Sequence, residues 1–491
     1  MIIETWAVLS VLAGGALIMN GAGLRGWGVP ALGMLVGASA YVLITLVQVV
    51  TPLPTTPVIG LVGVVAIPVA WWLWRWRRGD SVGMSWRAML VVAALVVALV
   101  AILRWARLVT WHGDSVFYVL SGVTLHSGEF YGAMWNEFFE KRPLGVPALH
   151  GPAALQNEFY LASLTPLIAA AMGAVVIWVL RRALRSEVPA HYLSIFSVIA
   201  VAFLFSSHRT VHHVFYLNGH LLTGAMVLMA AGAGWLLVRE DLARTPLVIA
   251  VMAGTSTAVL TRAEGALTMV MVLLPLVLAP TVSRSVRRLV IVWLGTVMVV
   301  WFGFGLWVSA HHDQVYSFST AAQFCAGLAL VALSPLIGAP WLERHHRRWL
   351  WAAEAMLWAA VAALAVRDRD ILIDSAVATA VNQAGAGKWG VTVIALSVAV
   401  ILVTAARALA GGHLLRFPVT TFIPLVLLLA YLREGAYRVG MYDSLNRMWM
   451  QVLPLAVLFV VASLASGSWK PWWERVVTRG RNSPLARTAR E

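Results

Sequence analysis

The chain has one cysteine, Cys325, in 491 residues. That excludes an intramolecular disulfide, and Cys325, inside a predicted apolar span, reads as a small buried hydrophobe. Charge is scarce too: Asp, Glu, Lys and Arg supply 12% of residues against 60% hydrophobic, where a soluble domain carries about 25% charged and about 45–50% apolar. A soluble fold is excluded. The apolar runs are continuous and do not alternate with polar residues, which sets aside a β-barrel. The opening MIIETWAVLS lacks a basic n-region and runs straight into an apolar span, so we expect no cleavable signal peptide and a retained first helix. Lysine is almost missing: only Lys141, Lys388 and Lys470 are lysine, which leaves 33 arginines among the 36 basic residues.

What remains is an all-α polytopic membrane protein. Roughly 20 apolar residues cross the hydrocarbon as a helix. By that rule residues 5–23, 30–50, 57–74, 88–106, 160–180, 190–206, 219–238, 247–260, 265–280, 289–308, 321–341, 349–366, 391–409, 417–432 and 449–466 each read as a span. We therefore expect about 13–15 transmembrane helices.

The net charge of +15 could point to nucleic acid, but its distribution argues for topology. With the N-terminus outside, alternate loops hold Arg25; Arg75, Arg77, Arg78 and Arg87; Arg181, Arg182 and Arg185; Arg239 and Arg244; Arg284, Arg287 and Arg288; Arg344, Arg347 and Arg348; Arg407 and Arg416. Together with the tail from Lys470 to Arg490 they carry 24 of the 36 basic residues. Positive charge marks the cytoplasmic side, and the excess adds attraction to anionic lipid. A nucleic-acid partner is not expected, because the arginines are scattered among short loops and form no stripe with interleaved aromatics.

The opposite loops differ in kind: most carboxylates and histidines collect there. The longest, residues 107–160, opens with WHGDSVFYVLSG. Its apolar residues recur at helical spacing with little net charge, which predicts a helix lying in the membrane interface. Asp114 falls at the start of that helix, where it reads as an N-cap or as a catalytic carboxylate at the mouth of a membrane cavity. Further on, NEFFEKRPLGVP places Glu137, Glu140, Lys141 and Arg142 before two prolines that stiffen the chain. They read as a solvated turn, or as a basic pair available to a phosphate.

Three more outer segments stand out. SSHRTVHHVFYLNGH gathers Arg209, His212 and His213. HxxxHH alone could suggest zinc, but no cysteine or carboxylate lies nearby in sequence, so phosphate or sugar hydrogen bonding is preferred and no metal is expected. Tyr216 reads as a membrane-surface anchor. LTRAEGAL follows an apolar run of about sixteen residues, roughly 24 Å of helix against a roughly 30 Å hydrocarbon core. Arg262 and Glu264 should therefore sit below the interface, paired with each other or facing a polar cavity. Finally, MYDSLNRMWMQVLP sets Tyr442 and Arg447 at the outer end of the last span, as interfacial anchors or as part of the same arrangement. Asp368, Asp370 and Asp374, in a long loop from Arg367 to Gly390, read as a solvated face with no role.

In this order the features resemble the GT-C superfamily of integral-membrane glycosyltransferases, which take sugar from a polyprenyl-phosphate donor. The matching elements are Gly113-Asp114 at the outer end of a helix, the interfacial helix after it, the Lys141-Arg142-Pro143 segment, YLNGH, the TRAEG tip and NRMWMQVLP. The resemblance covers roughly residues 88–466, with residues 1–87 as extra N-terminal helices and 467–491 as a basic cytoplasmic tail. The chain departs from the usual pattern in carrying about three spans ahead of the Gly-Asp loop where the family usually has one, and in lacking a large C-terminal periplasmic domain.

The resemblance implies that Asp114 is the general base for the acceptor hydroxyl. Glu137, Glu140 and Glu264 are secondary candidates. Sugar transfer from a phosphate needs such a base and cations for the leaving phosphate, which Lys141, Arg142, Arg209, Arg262 and Arg447 can supply. One base without a covalent nucleophile implies inversion. With no DxD near Asp114, we expect no divalent cofactor.

The resemblance places the protein in a bacterial inner membrane, with its active site facing the periplasm and its C-terminus cytoplasmic. The expected partners are a polyprenyl-phosphate sugar, a cell-envelope glycan or glycolipid acceptor, and the bilayer. The arginine-rich, Ala-, Val- and Gly-rich composition matches a GC-rich genome; in an actinobacterium the donor would be decaprenyl-phosphate arabinose or mannose. Two alternatives are a polysaccharide polymerase or ligase acting on diphosphate-linked donors, and a sugar or lipid transporter or flippase. The first would lead with arginine in its large outer loop. The second would place ionisable groups near the bilayer midplane.

Overall fold

The computed structural model describes residues 1–51, 53–78, 86–106, 108–110, 113–127, 139, 142–239, 244–311, 318–406 and 409–467. Among them twenty α-helices carry the fold, and the only β feature is an isolated parallel bridge between Thr110 and Tyr216. The helices are α1 (Ile2–Gly21), α2 (Gly28–Val50), α3 (Pro57–Arg77), α4 (Trp86–Ala106), α5 (Gly113–Ser127), α6 (Gly145–His150), α7 (Leu164–Leu184), α8 (Ala190–Leu204), α9 (His208–Phe215) and α10 (Gly219–Arg239). They continue with α11 (Arg244–Val259), α12 (Gly265–Leu278), α13 (Arg284–His311), α14 (Phe318–Leu333), α15 (Pro340–Arg344), α16 (His346–Arg367), α17 (Arg369–Val381), α18 (Thr392–Ala406), α19 (His413–Leu432) and α20 (Ser444–Ala465). The chain is an all-α polytopic membrane protein.

Each of the fifteen predicted spans coincides with a helix, but they are not equivalent. Among the described residues eleven helices are long and apolar enough to cross a bilayer, twelve if α8 and α9, bent by 78° at their break, count as one. Helices α11, α12 and α18 have 16, 14 and 15 residues. At about 1.5 Å per residue they fall short of the roughly 30 Å hydrocarbon core. The apolar pattern shows that a helix is membrane-embedded; length decides whether it crosses.

Two helices form the centre. In α10, 94% of the most apolar stretch is buried inside the protein, and in α20 89%; α4, α14 and α16 fall to 17%, 11% and 11% and turn most of their surface outward. Association of helices in lipid depends on close van der Waals approach, and α1 against α2 is the clearest case. A Cβ on Gly15 would lie 1.9 Å from the Gly33 carbonyl oxygen, and one on Gly37 1.8 Å from that of Val11. Only glycine permits that crossing.

Polar contacts fix which helix ends share a side. The carboxylate of Glu4, fully buried at the start of α1, accepts from the Ser163 amide (2.7 Å) and hydroxyl (2.6 Å) just before α7 and from Arg104 at the end of α4 (2.9 Å). Arg104 also pairs with Glu158. At the other end of the helices Arg239 pairs with Glu187, Arg287 with Glu343, and Arg416 with Glu354. The arginines assigned above to the cytoplasmic face thus lie opposite the Asp114 face.

Two expectations are corrected. Cys325 is exposed: α14 packs on one side only, and the bilayer covers the rest of an apolar helix, so the thiol needs no burial in protein. The segment 367–390 is not a loop. It folds as α17 followed by a π-helical turn, Asn382–Ala386, with Ile373 and Val377 more than half exposed. Asp368, Asp370 and Asp374 are exposed as expected, and Asp368 caps α17 through the Asp370 and Ile371 amides.

Candidate functional site

The helix expected from Gly113 onward forms as α5. Ser115, Tyr118, Ser121 and Leu125 are buried along one face while Val116, Leu120 and Val123 are 40–50% exposed along the other. A helix buried on one side and apolar on the other has the pattern that suits a membrane interface. Its start is stitched to the α9–α10 turn: Ser115 Oγ donates to the Leu217 carbonyl (3.1 Å), and the Thr110 amide donates to that of Phe215 (2.7 Å). Asp114 sits in the first turn of α5 rather than at the cap. Its carboxylate goes to cations instead.

Arg142 Nη2 donates to Asp114 Oδ1 at 2.8 Å, and Arg447 Nη1 donates to Oδ2. These three side chains are 12–19% exposed, so the pairs are partly shielded from water, which strengthens their mutual attraction and also raises the cost of desolvating each charge. Arg142 also lies over the Phe117 ring, 4.2 Å from its centroid, a cation–π contact that fixes its plane. Arg447 Nη1 reaches the Tyr216 hydroxyl at 3.3 Å. Arg142, 28 residues on in the chain, and Arg447, 333 residues on, therefore converge on one carboxylate.

The tip between α11 and α12 brings Arg262 and Glu264 together, their side chains 15% and 9% exposed. Arg262 Nε donates to Glu264 Oε1 (3.0 Å) and Nη1 to the Tyr118 hydroxyl (3.1 Å). Glu264 also accepts from Gln451 Nε2 at 2.8 Å. Burial alone would favour the neutral acid, but Arg262 and Gln451 hold Glu264 below the usual carboxylate range. Gly219 makes room for this arrangement: a Cβ there would stand 2.9 Å from Arg262 Cδ and 3.0 Å from the Tyr118 hydroxyl.

Arg209 is fully buried in α9. Its backbone amide donates to the Lys388 carbonyl (3.1 Å), but among the described residues none of its three guanidinium nitrogens has a hydrogen-bond partner. His213 and His220 are likewise fully buried with an open Nε2 each, while their Nδ1 atoms meet the Arg209 carbonyl (2.8 Å) and Gln451 (2.9 Å). His212 stacks loosely with Tyr216, centroids 5.1 Å apart. Tyr216 sits among the cations, within electrostatic reach of Arg142, Arg209 and Arg262 and bonded to Arg447. Burial pushes its hydroxyl up to about 12, so it stays a neutral donor.

The structure thus gathers Asp114, Arg142, Arg209, His212, His213, Arg262, Glu264 and Arg447 at one end of the bundle. Tyr442 is 54% exposed on the turn before α20, at the edge of the group and within reach of the field of Arg209. Glu137, Glu140 and Lys141 lie outside the described residues. Among the described residues no three His, Cys, Asp or Glu side chains are grouped to hold a metal. The HxxxHH cluster meets Arg209 and Tyr216 instead.

Three participants escaped sequence reasoning. Tyr216 is not a surface anchor: it is 1% exposed and lies inside the cluster, because α9 turns 78° away from α8 and carries it inward. Tyr118 reads as one apolar position of an amphipathic helix until Arg262 is seen against its hydroxyl. Gln451 sits one turn past Arg447, so the 3.6-residue period could have placed it on the same face of α20.

Among the described residues four arginines against two carboxylates leave a formal excess of two positive charges in a largely buried site. A fully buried guanidinium with no hydrogen-bond partner among the described residues is costly, and an anion beside it would offset that cost. Comparison with known protein families, characterised proteins and solved structures finds no match for this chain.

Proposed function

We propose that this is a membrane glycosyltransferase that moves a sugar from a polyprenyl-phosphate donor to a cell-envelope glycan or glycolipid on the periplasmic side of a bacterial inner membrane. One observation carries the reading: Asp114, the base candidate, is neutralised by two arginines, and a third in the same cluster, Arg209, is buried with no hydrogen-bond partner for its guanidinium among the described residues. A carboxylate and an excess of cations at one point are what transfer from a phosphate requires.

Asp114 holds Arg142 and Arg447 in place while no anion is bound. A donor phosphate recruits Arg209 and competes for Arg142 and Arg447, which frees the carboxylate. The acceptor oxygen then attacks the anomeric carbon from the face opposite the phosphate. Its proton passes to Asp114, the bond from the anomeric carbon to the phosphate oxygen breaks with its electron pair, and the arginines stabilise the departing lipid phosphate. One displacement inverts the configuration. Arg262, Glu264, Tyr118 and Gln451 are positioning residues that hold the floor of the site. In the arginine-rich bacterial chain proposed here, decaprenyl-phosphate arabinose and mannose are the donors to try first.

The test is transfer of labelled sugar in membranes carrying the wild type or Asp114→Asn, with a panel of polyprenyl-phosphate sugars. Transfer by the wild type and its loss in a folded variant supports the reading. Undiminished transfer by Asp114→Asn removes Asp114 from the chemistry.

A further inference from the structure

A second cavity lies elsewhere, between α2, α4 and α7, with a volume of about 680 Å³. Four arginines, Arg25, Arg181, Arg182 and Arg185, line it together with Trp27 and Trp178. All six sit at the ends of α1 and α7 or the start of α2, opposite the Asp114 face. The rest of the wall is apolar. Small side chains open it, namely Ala170, Ala171 and Ala174 on α7, and Val92 and Leu95 of α4 face them.

The cleft has a lateral mouth: Leu95 lines it yet is 64% exposed, on a helix whose outer surface is turned to lipid. Trp27, 66% exposed, stands at its rim, the depth that tryptophan favours in a bilayer. Gly28 sets the Trp178 ring against α2, since a Cβ there would come within 2.5 Å of its Nε1. A slot with apolar walls, a mouth at acyl-chain depth and four cations at its headgroup end matches an anionic lipid in both halves. Basic pockets between helices on the cytoplasmic side recognise such headgroups.

We propose that this cleft binds one anionic phospholipid of the leaflet opposite the Asp114 site, with its phosphate among Arg25, Arg181, Arg182 and Arg185 and an acyl chain along the alanines of α7. Clamped there, the lipid ties the mostly exposed α4 to α7. Since α4 leads directly to α5 and Asp114, its position bears on the site at the other face. The proposal does not depend on the reaction assigned to that site.

The experiment uses the full chain, delipidated in detergent and titrated with phosphatidylglycerol or phosphatidylcholine of identical acyl chains, read by native mass spectrometry and by the unfolding midpoint. One phosphatidylglycerol is expected to be retained with a raised midpoint, and phosphatidylcholine is expected to do neither. At about fivefold per arginine neutralised, the triple variant Arg25→Gln, Arg181→Gln, Arg182→Gln should weaken binding about a hundredfold. Ala174→Trp fills the apolar wall without changing charge and should also abolish retention. Equal retention of both lipids, or full retention of phosphatidylglycerol by either variant, overturns the proposal. Dihexanoyl phosphatidylglycerol, which keeps the headgroup but shortens the chains, should fail to raise the midpoint; an equal rise would show that the cleft takes no acyl chain and contradict it.

Discussion

Replacing Asp114 by Asn should produce two opposite effects. The amide keeps the size of the side chain but cannot be a base, and it leaves Arg142 and Arg447 facing each other without the charge that now separates them. Losing a positioned general base costs about 10²–10⁴-fold in transfer rate. Losing the carboxylate from a partly buried pair costs about 3–5 kcal/mol of stability in the empty protein. Lipid phosphate, however, no longer competes with Asp114 for the two guanidiniums, and the site gains one unit of positive charge. Each 1.4 kcal/mol of relieved competition tightens binding about tenfold, so a non-transferable polyprenyl phosphate should bind the variant about ten- to a hundredfold more tightly. The assay pairs a binding titration with initial transfer rates at saturating donor. A variant that transfers slowly and also binds lipid phosphate more weakly would refute the idea that Asp114 and the donor phosphate share the same arginines.

Other substitutions separate structure from function. Arg209→Met removes a buried cation whose guanidinium has no hydrogen-bond partner among the described residues, so thermal unfolding of the empty protein should occur at the same or higher temperature while donor binding falls at least tenfold; clear destabilisation would show that Arg209 is already satisfied. Tyr118→Phe deletes the 3.1 Å bond to Arg262 and should cost about 1.5–3 kcal/mol, the range for hydrogen bonds to charged groups, with unfolding and transfer rate measured together. Gly219→Ala forces a methyl group against Arg262, which should cost about 1–3 kcal/mol of overpacking and depress transfer more than Gly219→Ala does fold stability, as judged by comparing rate with unfolding midpoint.

The membrane architecture was legible because lipid imposes one strong rule, that continuous apolar runs form helices. That rule does not report length of crossing. Helices α11 and α12 are too short by the same arithmetic that put Arg262 and Glu264 below the interface, so the feature that lowers the count of spans builds the site. Asp114, Arg142, Arg262 and Arg447 could be singled out because ionisable residues in a greasy chain are few. Their partners could not. Whether Arg447 meets Asp114 or the headgroups depends on how α20 packs on α10, a long-range fact that local pattern does not encode. Tyr118, Tyr216 and Gln451 were hidden because their residue types are ordinary in apolar helices, and Lys388 because only its backbone carbonyl takes part.

The most direct test of the central claim follows donor consumption itself. Membranes containing the wild-type chain are incubated with polyprenyl phosphates bearing different labelled sugars, and both products are quantified. The account predicts that at least one donor loses its sugar to a glycan or glycolipid while releasing one polyprenyl phosphate per sugar moved, with inverted anomeric configuration. Donor that crosses or binds the membrane without cleavage of its sugar–phosphate bond would contradict it and favour a transporter.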